Sequence, residues 1–282
     1  KAALAEILVR LPVYRTYFGA KQSGDADRTY LKTATELAVL NRPGLQAEIT
    51  FLQRYLSGVY REPADADARG SSQLRRQVLR RFEQLSAPLM AKGCEDTALY
   101  VYNRLLSLNE VGAEPGRFGC ATDEFHRFMQ QRIRNRPLSM NNSATHDSKR
   151  GEDVRARLNV LSEIPQLWED RLRQWHELNR NHRRRHHDVV VPDKNEEYFL
   201  YQTLIGAWPA DGRITASFLQ RMRDYLRKAA REAKVHTSWT EQDGDYEEDL
   251  RLFVEAGLAD RAFLADLERF VAGDVTLDRH TA

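Results

Sequence analysis

Two stretches of strand character, in a chain whose other apolar residues recur at helical spacing, set the limits on this fold. After Pro12, the run VYRTYF (Val13–Phe18) is β-branched and aromatic, has strand length and is closed by Gly19. The segment LSMNNS (Leu138–Ser143) is poor in strong helix formers and ends in the polar turn ATHD. Two strands so distant in sequence make no stable sheet unless others join them. They either pair across a helical body or belong to a sheet completed elsewhere. The expected fold is therefore mainly α, a multi-helix body with one or two short strands.

Helical periodicity accounts for most of the rest. Leu4, Ile7, Leu8 and Leu11 mark a helix before Pro12, and Leu31, Ala34, Leu37, Ala38 and Leu40 mark a second. Further helices follow up to Gly112, with EPADADARGSS between them read as a loop. TDEFHRFMQQRIRNRP reads as a helix capped at Thr122 or Asp123 and stopped by Pro137, and another is expected from about Lys149. Beyond Pro165, Leu167, Trp168, Leu172 and Trp175 share one face. NHRRRHHDVVVPDKN lacks apolar periodicity and reads as a surface connection, after which four more helical patterns complete the chain.

Composition excludes several classes of function. No apolar run approaches the ~20 residues of a membrane-spanning helix, and KAALAEILVRLP lacks a signal-peptide cleavage site. Cys94 and Cys120 are far apart and lack ligand spacing, which argues against a disulfide framework or zinc site and fits a reducing, cytoplasmic setting. Charge is abundant but balanced, 43 basic against 41 acidic residues, whereas a dedicated nucleic-acid binder would carry a one-sided excess.

Two constellations could carry chemistry. His146 and Asp147 sit just past the Leu138–Ser143 run, where α/β barrels place catalytic groups; a plainer reading makes Asp147 the cap of the helix expected near Lys149. In AKGCEDTALYVYNRLLSLNEVG, the polar residues Lys92, Glu95, Asp96, Asn103, Arg104, Asn109 and Glu110 alternate with apolar positions and with Tyr100 and Tyr102. Sugar-binding clefts need this mixture of carboxylates, amides, cations and flat rings, although an amphipathic helix with a solvated face has the same composition. The run NHRRRHHD is read as a charged connection without function. In KVHTSW, His236 and Trp239 follow a helix, and Trp239 is expected to pack in the core. Phosphate-loop, dinucleotide-binding and nucleophile-elbow motifs are absent from the sequence.

Taken together, KGCEDTALYVYNRLLSLNEVGAEPGRFG, THDSKRGEDVRARLNVLSEIPQLW, PDKNEEYFLYQTLIGAWP and REAKVHTSW resemble the maltooligosyltrehalose synthase family of the α-amylase superfamily, as does the opening LVRLPVYRTY. The resemblance implies an intramolecular transglucosylation, in which the reducing-end α-1,4 linkage of a maltooligosaccharide becomes an α,α-1,1 linkage, with no metal or organic cofactor. THD matches the family's third carboxylate, so Asp147 would stabilise the transition state and His146 would contact substrate. Lys92, Glu95, Asp96, Tyr100, Asn109, Glu110, Lys149 and Arg150 are the implied candidates for sugar contacts. The family's nucleophile and acid/base motifs find no match in the chain. The implied piece is an internal helical segment of an incomplete (β/α)8 barrel: residues 1–137 with one barrel strand and a helical insertion, 138–160 with a second strand and the His-Asp loop, and 161–282 as a second helical subdomain. Its expected partners are a maltooligosaccharide and the remainder of the parent chain, with no nucleic acid and no membrane.

Overall fold

A computed structural model describes residues 1–18, 24–59 and 68–275, and they are mainly α-helical. The backbone divides into two compact units, Lys1–Cys94 and Glu95–Ala282.

The first unit is built from helices α1 (Ala2–Val9), α2 (Asp25–Asn41), α3 (Gln46–Ser57) and α4 (Ala68–Met90). Its core gathers Ile7, Leu31, Ala34, Ala38, Ile49, Leu56 and Phe82. In α2, Leu31, Ala34 and Ala38 keep the i, i+3, i+7 stripe and are buried, whereas Leu37 and Leu40 fall off it and are exposed. Of the expected loop EPADADARGSS, residues 62–67 lie outside the described part, and from Ala68 the chain is already in α4.

The second unit contains the short turn α5 (Leu99–Val101), then α6 (Thr122–Asn135), α7 (Glu152–Val160), α8 (Pro165–Leu178), α9 (Lys194–Ala207), α10 (Ala216–Ala233), α11 (Gly244–Ala259) and α12 (Arg261–Gly273). Its centre is α9, with Phe199 through Gly206 all buried. Around α9 pack Trp168 and Trp175 from α8, Phe263 and Phe270 from α12, and the α10 stripe Phe218, Met222 and Leu226. The Trp175 ring lies edge-on to Tyr201, Phe263 and Phe270, and its indole N–H donates to Asp266 at 2.8 Å, which satisfies a group that burial would otherwise penalise.

Both expected strands need correction. Neither Val13–Phe18 nor Leu138–Ser143 is a strand, because neither has a neighbouring strand to complete its hydrogen bonds. The first segment instead lays Thr16 into the unit, with Val13 and Phe18 packed on its core. Among the described residues the strands are β1 (Arg184–His186) and β2 (Val189–Val191), an antiparallel hairpin in the register Arg184↔Val191, Arg185↔Val190, His186↔Val189. The segment read as a surface connection is therefore structured. Its turn uses His187 at a left-handed φ of 52°.

One stretch stands apart from the second core. No residue from Val111 to Lys149 is buried, and α6 exposes Phe125, Phe128 and Ile133. This arm leaves and rejoins the core at neighbouring points, Asn109–Glu110 and Lys149–Arg150.

Candidate functional site

The junction where the arm rejoins the core is the candidate site. The Glu110 carboxylate accepts the backbone N–H of Lys149 at 2.8 Å, that of Arg150 at 3.2 Å and that of Val111 at 2.9 Å. Asn109 is buried, and its side-chain amide donates to the carbonyls of Leu99 (2.9 Å) and Tyr102 (2.8 Å), closing the chain around α5. Its own carbonyl accepts from the Arg150 guanidinium at 3.2 Å. The buried Arg150 also donates to the Tyr225 hydroxyl at 3.3 Å and lies 5.8 Å from the centre of the Phe199 ring. The Lys149 ammonium pairs with Asp96 at 2.7 Å and sits 5.6 Å over the Tyr100 ring. Burial pushes the Tyr100 phenol well above its usual range.

Asp96, Tyr100, Asn109, Glu110, Lys149 and Arg150, scattered in sequence, thus form one network. Lys92 is exposed in the first unit, and Glu95 is half-buried at the start of the second. On the far flank of Lys149–Arg150 is a cavity of about 230 Å³ walled by Val154, Thr203, Phe218, Met222 and Tyr225.

His146 and Asp147 occupy a turn held by three bonds: Ser148 N–H to the Thr145 carbonyl (3.1 Å), Thr145 N–H to the Ser148 hydroxyl (2.8 Å) and Asp147 N–H to the Thr145 hydroxyl (3.2 Å). Both side chains are exposed, and the imidazole stands 3.3 Å from the Asp147 carboxylate. The helix expected from Lys149 starts at Glu152, with Gly151 at its cap position. Asp147 is therefore not its cap. The basic groups after it turn inward, Lys149 to Asp96 and Arg150 to Asn109.

A second cluster joins two of the quoted sequence blocks. Asp193 caps α9 by accepting from the N–H groups of Asn195 and Glu196, both at 2.8 Å, and Glu196 returns a bond to the Asp193 N–H at 3.3 Å. His236 reaches Asp193 at 2.8 Å and stacks on Tyr246, whose hydroxyl donates to Glu196. The ligand atoms of Asp193, Glu196 and His236 lie within 4.8 Å of one another, a donor set suited to a divalent metal, but those atoms are engaged in the capping box and its hydrogen bonds. Burial raises the Glu196 carboxyl. D-x-x-E is a legible capping box; that His236 would meet it was not legible. Trp239, expected in the core, is instead half-exposed beneath Arg231, whose guanidinium is 5.0 Å from its ring centre.

The charged run NHRRRHHD also acquires partners: His182 meets Asp260 at 3.3 Å, His186 meets Asp243 at 3.0 Å and Arg184 meets Asp249 at 3.7 Å. Asp260 and Asp243 are the N-caps of α12 and α11. Among the described residues, no helix is long and apolar enough to cross a membrane.

The fold and the junction together define a helical segment that presents a His-Asp turn held at its base by buried polar contacts. No protein-family model matches the chain. A Mycobacterium tuberculosis (strain H37Rv) protein bearing the name maltooligosyl trehalose synthase is 39% identical over 192 residues, covering 68% of this chain and 24% of that protein. The maltooligosyltrehalose synthase of Arthrobacter ramosus superposes with a TM-score of 0.77 at 33% identity, over 96% of this chain and 31% of that one. A hypothetical maltooligosyl trehalose synthase of Sulfolobus tokodaii gives 0.70 at 28% identity, over 97% and 32%. The chain is thus a homologue of a helical segment of maltooligosyltrehalose synthases and spans about a quarter of the length of the curated relatives it matches.

Proposed function

We propose that the chain acts as part of a maltooligosyltrehalose synthase, converting the reducing-end α-1,4 linkage of a maltooligosaccharide to an α,α-1,1 linkage by intramolecular transglucosylation. The observation that carries this reading is the THD turn, seated beside a network of Asp96, Tyr100, Asn109, Glu110, Lys149 and Arg150 in a chain that matches such enzymes over nearly its whole length. Retention at the anomeric carbon needs a nucleophilic carboxylate and a separate acid/base, which the remainder of the parent chain would supply. Asp147 would serve as the third carboxylate, bonding hydroxyls of the distorted sugar more strongly as positive charge develops on the ring. Its exposure supports that role, since a carboxylate meant for substrate must not be spent on its own fold. His146 would contact the same sugar. Around them, 138–160 would be the barrel-derived part and the flanking helices the walls of the acceptor site, holding the released glucose against loss to water. The segment alone would be inactive.

The test follows reducing ends during incubation of the full-length synthase with a maltooligosaccharide, wild type against Asp147→Asn. Loss of several orders of magnitude in rate with the fold intact is the expected result. An Asp147→Asn enzyme that keeps most of its activity would refute the role. A wild type that consumes no reducing ends would leave the segment as a glucan-binding or structural helical domain, and saturable maltooligosaccharide binding by the isolated chain would distinguish the first of these from the second.

A further inference from the structure

We infer that Glu110, counted above among the sugar contacts, is instead the positioning residue of the His-Asp turn, with Arg150 as its second point of attachment. The inference rests on the proposed synthase reading and assigns Glu110 a part within it.

Lone-pair accounting comes first. An ionised carboxylate offers about four acceptor sites. Glu110 Oε1 takes the N–H groups of Lys149 and Val111, and Oε2 takes that of Arg150. Three of the four are therefore used on backbone, and little remains for a sugar hydroxyl. The three donors also come from both ends of one excursion, Val111 where the arm departs and Lys149–Arg150 where it returns. Asn109 adds a fourth tie through its carbonyl to the Arg150 guanidinium. Arg150 is anchored in turn to Tyr225 on α10 and lies against Phe199 on α9.

Geometry then connects the clamp to the chemistry. Asp147 precedes Lys149 by two residues, and a chain advances at most ~3.6 Å per residue, so the Asp147 backbone lies within about 7 Å of the clamp. No residue of the arm itself is buried, so the turn is referred to the packed core through its ties: the Glu110 clamp on the backbone, the Lys149–Asp96 pair, and the Arg155 guanidinium on the Ser143 carbonyl. A carboxylate that stabilises a transition state must be held to a fraction of an ångström, and a 1 Å misplacement costs on the order of 100-fold in rate. A half-buried carboxylate whose oxygens are filled by backbone N–H groups is a stiff way to hold a loop, because charge-assisted bonds are about twice as strong as neutral ones.

The experiment uses two variants and two readouts. Glu110→Gln is isosteric but turns one acceptor into a donor facing a backbone N–H, and Glu110→Ala removes both oxygens. In this chain, amide hydrogen exchange at Lys149 and Arg150 should accelerate at least about tenfold in both variants, while amides of α9 and α10 stay protected. In the full-length synthase, kcat should fall about 10- to 100-fold with KM within about threefold of wild type, the pattern of lost alignment without lost affinity. Unchanged exchange at Lys149 and Arg150, or unchanged kcat in an active enzyme, overturns the inference alone. A rise in KM with kcat preserved also overturns it, returning Glu110 to the sugar contacts. A wild type without mutase activity removes the functional reading and this inference together, even if exchange shows the clamp.

Discussion

Asp193, Asp243 and Asp260 each do two jobs with one carboxylate. One oxygen accepts the N–H groups that open a helix, and the other meets a histidine, His236, His186 and His182 respectively. Asp193 and Asp260 each precede a helical pattern, the usual place of a cap, although the lack of apolar periodicity assigns Asp193 to a surface connection. The histidines were not legible, because each comes from a segment remote in sequence. The backbone N–H groups of Tyr246 and Phe263, followed in effect by the imidazoles, hold Asp243 and Asp260 below the usual carboxylate range. A carboxyl with a lowered folded pKa adds stability that is whole above its unfolded value, near ~3.9, and is lost as pH falls from there through the folded value. Glu196 has the opposite sign. Its burial-raised pKa adds stability that is whole below the unfolded value, near ~4.3, and is lost as pH rises through the folded one. Thermal unfolding between pH 5 and about pH 2.5 should therefore show a steeper acid loss of Tm in wild type than in the double variant Asp243→Asn/Asp260→Asn, which keeps a capping oxygen but cannot titrate. Parallel curves would mean that the caps carry no net charge effect.

Amphipathic spacing gave most of the helices, carried the one expected up to Gly112 too far, since the chain leaves the helix at Tyr102, and failed where an element is too short to show a period. α10 was legible because Phe218, Met222 and Leu226 recur every fourth residue. The β1–β2 hairpin was not: three-residue strands, one of them almost wholly charged, carry no usable alternation, and the pairing is supported by the contacts of His186 and Val191 with the second unit. Val13–Phe18 and Leu138–Ser143 have the composition of strands and no partner to pair with. Composition describes what a segment can do next to a sheet; it cannot provide the sheet. Helix α9 adds a constraint that no pattern revealed. A Cβ placed on Gly206 would come within 2.7 Å of Val154 Cγ1 and 3.4 Å of Leu158 Cγ, both on α7, so that glycine sets how closely α7 and α9 pack. Gly206→Ala should lower stability by about 1–3 kcal/mol through overpacking, despite alanine's better helix propensity. Denaturant titration would check it, and a stabilised variant would show that α7 can shift freely.

For the molecule as a whole, the second unit divides into a dense aromatic core and an arm with none of its residues buried. Six residues singled out in the sequence, Asp96, Tyr100, Asn109, Glu110, Lys149 and Arg150, share one network whose bonds the sequence did not show. Glu110 has a chemistry that suits hydroxyls and Arg150 follows the THD match, and only the backbone path shows that their bonds go to the chain itself. His146 and Asp147, by contrast, are exposed, and among the described residues no bond from either side chain reaches the core.

The attachment of the arm at two neighbouring points, Asn109–Glu110 and Lys149–Arg150, bears on how the chain is cleaved. The arm is rich in arginine, with Arg117, Arg127, Arg132 and Arg134 all in its unburied stretch and none of them before a proline, so trypsin at low dose should cut there readily. The cut ends would not part. Upstream of the arm, Leu106 is fully buried and its N–H donates to Gln202 on α9 at 2.9 Å, while Gln202 donates in turn to the Asn103 carbonyl. A once-nicked chain should run as two bands after denaturation yet elute from a sizing column as a single species of the original mass, with the scission recorded in the covalent chain and hidden in the folded one.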